Sequence, residues 1–203
     1  MNQSKVNISL LAFLALILSC HKDNPNPAQS ECVVSENISS TDSSNIYIYD
    51  SGKEEYGFAT AIKLNKSWRA SASAIFYNSN IYIAFKTYLP QLDNPDYKYE
   101  KESFIIQLNS NTIACQKLGN GSDSLKCITD YVAVDDDATE NYYLVWDSLD
   151  NNFIQLDTLN IEAGRVAGKF MCSFVKDLKF SIGRLDNPYY VRFFNGEFHC
   201  NIK

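Results

Sequence analysis

Two stretches, Phe170-Met171-Cys172-Ser173-Phe174 and Phe198-His199-Cys200-Asn201-Ile202, decide the fold class. In each, Phe, Cys and a third apolar residue fall on every second position, the spacing that places side chains on one face of an extended strand. A helix would need them three and four apart, and the chain beyond residue 20 offers no such period of useful length. Outward from these two runs, Tyr56 to Leu64, Trp68 to Tyr77, Asn80 to Tyr88, Ser103 to Leu108, Thr112 to Gln116, Asn141 to Trp146 and Asn152 to Ile161 also read as strands. Arg165 to Lys176 and Tyr189 to Ile202 contain the two deciding stretches, the second bent near Asn195-Gly196. Asn78-Ser79 and Asn109-Ser110-Asn111 supply tight turns. The 13 Tyr and 12 Phe against 8 Gly favour pleated, half-buried surfaces. The expectation is one all-β domain over residues 46–203, an antiparallel β-sandwich of about nine or ten short strands, with a closed or partly open β-barrel as the alternative.

The N-terminus has a different character. Lys5 precedes an 11-residue run, Ile8 to Leu18, that is apolar apart from Ser9. A bilayer-spanning helix needs about 20 such residues, so this run is too short and reads as the core of a signal peptide over residues 1–19. It ends in Ile17-Leu18-Ser19-Cys20, an aliphatic residue at minus three and a small one at minus one before a cysteine, the pattern of a lipobox. Cys20 is therefore the expected lipidation site, and a diacylated cysteine holds a chain on a membrane far more durably than one acyl chain does. Residues 20–45, polar and proline-broken at Asn24-Pro25-Asn26-Pro27, read as a flexible tether. The membrane is thus an expected partner through the anchor, and the expected location is the cell envelope, at the outer membrane.

Residues 1–19 carry one cation and no acid, so their removal takes the formal charge from -6 to -7. An acidic chain is poorly suited to hold phosphate backbones, which argues against nucleic acid as a partner. Besides Cys20 there are five cysteines, and in an oxidising compartment two pairs are expected with one left over. Cys115 with Cys127 would close a local loop. Cys172 with Cys200 would tie the last two strands together, because both share parity with core residues. That would leave Cys32 as the odd thiol; pairing of Cys32 with Cys172 or Cys200 instead, or two buried free thiols, remains open. The spacing does not suggest a structural zinc site, and no metal or cofactor is expected.

Catalytic chemistry finds little footing. The two histidines are His21, in the tether, and His199, opposite in parity to Cys200 and so expected at the surface. Asp135-Asp136-Asp137 with Glu140 lacks the spacing and glycine of a calcium loop and reads as an acidic turn. Glu54-Glu55, Glu100 and Glu102 offer carboxylates, but glycoside hydrolysis depends on two acids at a set separation in space. The reading is of a protein that is not an enzyme. The repeated Leu92-Asp93-Asn94-Pro95 and Leu185-Asp186-Asn187-Pro188 read as turns. Tyr97 with Tyr99, Tyr142 with Tyr143 and Tyr189 with Tyr190 could form stacking surfaces for a glycan or a protein, although within a strand one member of an adjacent pair faces the core. Two functional classes follow: a binding or interaction module, which is favoured, or an accessory subunit of an envelope complex with no ligand of its own.

Three stretches resemble an uncharacterised family of small Bacteroidota lipoproteins: Gly57-Phe58-Ala59-Thr60-Ala61-Ile62 through Trp68-Arg69-Ala70, Gly164-Arg165-Val166-Ala167-Gly168-Lys169-Phe170, and Phe194-Asn195-Gly196-Glu197-Phe198. The resemblance covers roughly residues 56–202. It implies an all-β fold behind a lipid anchor, and it carries over no active site. The short charged segment after Cys20 is similar to the surface-export signal of such lipoproteins.

Cys20→Ala is expected to abolish metabolic lipid labelling and to release the chain from membranes in a fractionation assay. An unmodified mature N-terminus at another residue, found by mass spectrometry, would refute the anchor.

Overall fold

Two hairpin turns show how local sequence sets the register. Leu64 and Asn65 take φ of 48° and 67°, and Asn78 and Ser79 take 50° and 61°. Two successive residues with positive φ make a turn whose twist matches that of antiparallel strands, and asparagine tolerates this conformation better than most residues. The first joins β1 (Gly57–Lys63) to β2 (Lys66–Tyr77), and the second joins β2 to β3 (Asn80–Pro90). In the computed structural model the described residues are 32, 49–90, 94, 98–109, 113–121, 127–135, 138–148, 152–181 and 187–203. Cys20, the signal peptide, nearly all of the tether, Tyr97, Asp136, Asp137 and most of the two Leu-Asp-Asn-Pro turns lie outside them.

The remaining strands are β4 (Lys98–Asn109), β5 (Cys115–Gly119), β6 (Cys127–Asp135), β7 (Ala138–Val145), β8 (Phe153–Asn160), β9 (Arg165–Lys176) and β10 (Tyr190–Asn201). All ten belong to one sheet, as the sequence led us to expect of an all-β chain. The pairing runs β10-β1-β2-β3-β4-β6 and then forks, one branch reaching β9 through β7 and the other through β5 and β8. Because β9 pairs in turn with β10, the strands form a ring. Every strand then has a neighbour on both sides, and all pairings are antiparallel except the short β5–β6 contact. A ring of this kind is compatible with a sandwich joined along its edges and with barrel-like closure.

At the fork, two asparagine side chains imitate backbone. The Asn120 amide donates to the Val145 carbonyl at 3.1 Å and accepts from the Val145 N–H at 2.6 Å. Asn152 donates to the Trp146 carbonyl at 2.9 Å and accepts from the Ser173 N–H at 2.7 Å. Both supply the donor and acceptor that a neighbouring strand would have offered, which keeps these backbone groups satisfied where the ladder divides.

Inside the ring, Phe85 on β3, Phe104 on β4, Tyr131 on β6 and Tyr143 on β7 stand directly opposite one another in successive strand pairs. Their rings meet edge-on or tilted, with centroids 5.4 Å apart for Phe85 and Phe104 and 5.0 Å for Tyr131 and Tyr143. Phe170, Phe174, Phe193 and Phe198 fill the same interior from β9 and β10. Ala59 and Ala61 on β1 and Ala70, Ala72 and Ala74 on β2 also face inward, small residues that leave room for this aromatic crowd. The parity read in Phe170, Cys172, Phe174 and in Phe198, Cys200 thus points to the core. The bend foreseen at Asn195-Gly196 is a bulge in the β9–β10 ladder, where Asn195 has φ of 48°. A Cβ on Gly196 would lie 2.6 Å from the Phe170 ring, so only glycine fits there.

The disulfide expectations need correction. Cys115 bonds to Cys32, Cα to Cα 5.3 Å, and Cys127, Cys172 and Cys200 are free thiols. Cys127 lies opposite Leu118 in the parallel β5–β6 pair, three residues from Cys115 and thus about 10 Å away along the strand, and its thiol donates instead to the Gln116 amide oxygen. Cys172 and Cys200 are on neighbouring antiparallel strands and both face the core, but Cys172 opposes Phe193 while Cys200 opposes Val166. Six residues of offset separate them by about 20 Å, far beyond the roughly 7 Å limit for a bridge. Parity placed them on the same face, but register keeps them apart. Burial pushes the Cys127 thiol up to about 11 and that of Cys200 to about 12, so both stay protonated and unreactive.

The Cys32–Cys115 bridge spans 83 residues of sequence, for which chain-entropy arguments give stabilisation of about 4–5 kcal/mol. Non-reducing peptide mapping is expected to recover Cys32 linked to Cys115, with the other three thiols alkylated only after denaturation. Recovery of a Cys115–Cys127 peptide would contradict the observed register.

Candidate functional site

Two groups of side chains depart from an ordinary β-protein pattern, one inside the ring and one outside. The inner group is centred on Glu102, which β4 points into the core at 2 % exposure. Its Oε1 accepts from Lys63 Nζ and from the Tyr131 hydroxyl at 2.8 Å; its Oε2 accepts from Trp68 Nε1 at 3.0 Å and from Thr87 Oγ1 at 2.8 Å. Lys63 donates a further bond to the Tyr131 oxygen at 3.2 Å and lies 5.9 Å from the Phe193 ring centre. Burial pushes the Lys63 ammonium down to about 7, so its charge depends on the carboxylate beside it. Four donors saturate the carboxylate, which makes this a structural cross-link rather than a group poised for proton transfer. Lys63 and Glu102 were not singled out together in the sequence, yet parity holds the signal. Lys63 shares a face with Ala59 and Ala61, and Glu102 with Phe104, Ile106 and Leu108, so two opposite charges each sit in an otherwise apolar row.

The outer group lies where β7, β9 and β10 meet. Trp146, just beyond β7, donates its backbone N–H to the Ser173 carbonyl at 2.8 Å, and Ser173 in turn faces Arg192 across the β9–β10 pair. Val191 and Phe193 point inward, so Tyr190 and Arg192 point out beside Trp146. The Tyr190 ring stacks on Trp146 with centroids 4.6 Å apart and planes 24° from parallel; Tyr189 meets Tyr190 edge-on at 4.7 Å. The Arg192 guanidinium carbon lies 5.0 Å from the Trp146 ring centre, and its Nε is buried with no partner among the described residues. Tyr189 and Tyr190 remain 44 % and 36 % exposed. The result is a continuous strip of two tyrosines, a tryptophan and a cation, fixed from behind by the Asn152 bridge.

The tyrosine expectations divide accordingly. Tyr143 is buried, its hydroxyl donating to the Pro188 carbonyl at 2.9 Å, while Tyr142 faces out and donates to Asp130. That is the alternation expected of neighbours in a strand. Tyr189 and Tyr190 break it, both lying outside because Tyr189 precedes the regular part of β10. Tyr99 is half-buried on β4. His199 is exposed as expected, its ring 5.8 Å from that of Phe58, in a groove of about 410 Å³ shared with Tyr56 and Arg165. The acids do not come together. Glu54 is held by Arg69 and Ser51, Glu100 by Lys86, and Glu102 lies in the core. Glu140 receives the Asn187 amide at 3.4 Å.

No family model, curated protein or solved structure matches this chain.

Removing one member of a buried ion pair strands the other, at a typical cost of about 3–5 kcal/mol, whereas replacing both by apolar residues of similar volume is often close to neutral. Glu102→Leu is expected to lower stability by about that amount in denaturant titration, and Lys63→Met with Glu102→Leu to recover part of it. A double variant no more stable than the Glu102→Leu protein would mean that the pair is not the unit described here.

Proposed function

We propose that this chain is a membrane-anchored lipoprotein of the cell envelope, lipidated at Cys20, and that its β domain is a binding module with the Trp146–Tyr190–Tyr189 strip as contact surface. The observation that carries the binding part is the stacking of half-buried Trp146 on Tyr190, with Tyr190 and Tyr189 exposed beside it. Tyrosine and tryptophan offer large contact area with little conformational entropy to lose, and each keeps a polar tip. A strip already stacked and backed by Asn152 loses little further freedom on binding. Arg192 adds a cation beside it, suited to a hydrogen-bond acceptor on the ligand. Sugars and extended peptides both present faces that such a strip can hold. The anchor rests on the Ile8 to Leu18 run and Ile17-Leu18-Ser19-Cys20.

The test is binding of the purified protein to glycan and peptide arrays, followed by titration of any hit. Trp146→Ala and Tyr190→Ala are each expected to weaken binding about tenfold or more with the melting temperature little changed, since aromatic anchors typically contribute more than 1 kcal/mol. Hits that bind both variants as well as the parent would move the site elsewhere. A chain that captures nothing from either array would favour the accessory-subunit reading.

A further inference from the structure

The turn after β9 holds two apolar side chains away from the protein. Leu178 is 70 % exposed and Phe180 68 %, the highest values among the exposed large hydrophobic residues described. The turn itself is tightly made. The Asp177 carboxylate accepts the Lys179 N–H at 2.8 Å, and the Asp177 carbonyl accepts from Phe180 at 3.3 Å and Ser181 at 3.0 Å. It is also fastened to β7, because the Asp177 N–H donates to the Tyr142 carbonyl at 2.8 Å and the Tyr142 N–H donates to Ser181 Oγ at 3.2 Å. The Phe180 ring meets that of Tyr142 edge-on, with centroids 6.3 Å apart. A rigid turn that keeps Leu and Phe in water forgoes the burial that drives folding elsewhere in the chain, and Lys179 sits between them.

We infer that Leu178 and Phe180 dip into the surface of the bilayer that anchors the chain, so that the end of the domain carrying this turn faces the lipid. The inference rests on the lipid-anchor reading above. Apolar side chains at the tip, a lysine between them and tyrosines at Tyr142 and Tyr189 on the flank match the order of acyl chain, phosphate and headgroup layer at a membrane surface. The reach is adequate. From Cys20 to Cys32, where the chain is fastened to β5, there are 12 residues, which at full extension span about 40 Å. β9 and β10 have 12 residues each and are also about 40 Å long, so the anchor is long enough to let this end meet the membrane. Two side chains would hold a free protein poorly. Confined beside the bilayer by the anchor, the domain needs only a weak second contact to be oriented. The aromatic strip then lies on the outer wall next to the membrane-facing end.

The test uses the full lipidated chain in phosphatidylcholine vesicles with and without brominated acyl chains. A tryptophan is introduced by Phe180→Trp in one sample and, at the opposite end of the ring, by Ile75→Trp in another, with the parent protein as background for Trp68 and Trp146. Brominated lipid is expected to quench the added emission at position 180 and to leave that at position 75 unchanged. Equal quenching at both positions, or more at 75, overturns the inference. Mass spectrometry of the Cys20 peptide and flotation against Cys20→Ala, done on the same material, separate the two failures. A chain that carries lipid and floats but shows no quenching at 180 refutes only the orientation, whereas a chain without lipid refutes the anchor and the orientation together.

Discussion

A carboxylate buried in a protein interior must find donors for its oxygens or not be there. Glu102 meets that condition with side chains from four other strands: Lys63 on β1, Trp68 on β2, Thr87 on β3 and Tyr131 on β6. One group on β4 therefore fixes the mutual register of five consecutive strands in the ring. A slip of one residue in any of them would turn its donor to the outside and leave the charge unsatisfied. Apolar packing alone is more forgiving, because apolar side chains of similar volume can replace one another at modest cost. The carboxylate is thus a specificity device set among rings that supply most of the burial.

The fold class was legible because the deciding strands, β9 and β10, keep apolar residues on one parity for most of their length. β6 escaped notice for the opposite reason. Its inward positions include Thr129 and Tyr131, while Ile128 and Val132 share the outward parity, so hydrophobicity pointed to the wrong face. β1 misleads in the same way, with alanines inside and Phe58 and Ile62 outside. What decides these cases is volume and partner chemistry across the ring, which no single strand contains. The aromatic strip was half visible. The Tyr189-Tyr190 pair stood out, but Trp146 joins it only through the β7–β9 and β9–β10 pairings, more than 40 positions away in sequence.

Cysteine parity teaches the same limit from another side. Facing the core on adjacent strands is necessary for a bridge such as Cys172–Cys200, and it is not sufficient, since offset along the strand sets the distance. The bridge that does form joins β5, the shortest strand, to Cys32 ahead of the sheet. β5 has only three residues against β8 and two against β6. A strand with so few ladder bonds gains most from a covalent tie, whereas the long strands β9 and β10 have bonds enough without one.

Ring closure also constrains how this domain can recognise anything. Every strand has a neighbour on both sides for part of its length, so what ring closure leaves for an incoming peptide to extend is short, as at residues 75–77 of β2 and 138–141 of β7, whose ladders lie on one side only. Under the proposed binding role, the larger contact surfaces are side chains on the outer wall and turns at the ends. In both places the chain departs from ordinary surface composition: the stacked rings beside Arg192, and the turn that holds Leu178 and Phe180 in water. At both, the backbone beneath is unusually well bonded, by Asn152 in one case and by Asp177 and Ser181 in the other. Side chains that would collapse onto a softer support are kept available, which is what a contact surface requires and what packing alone would not produce.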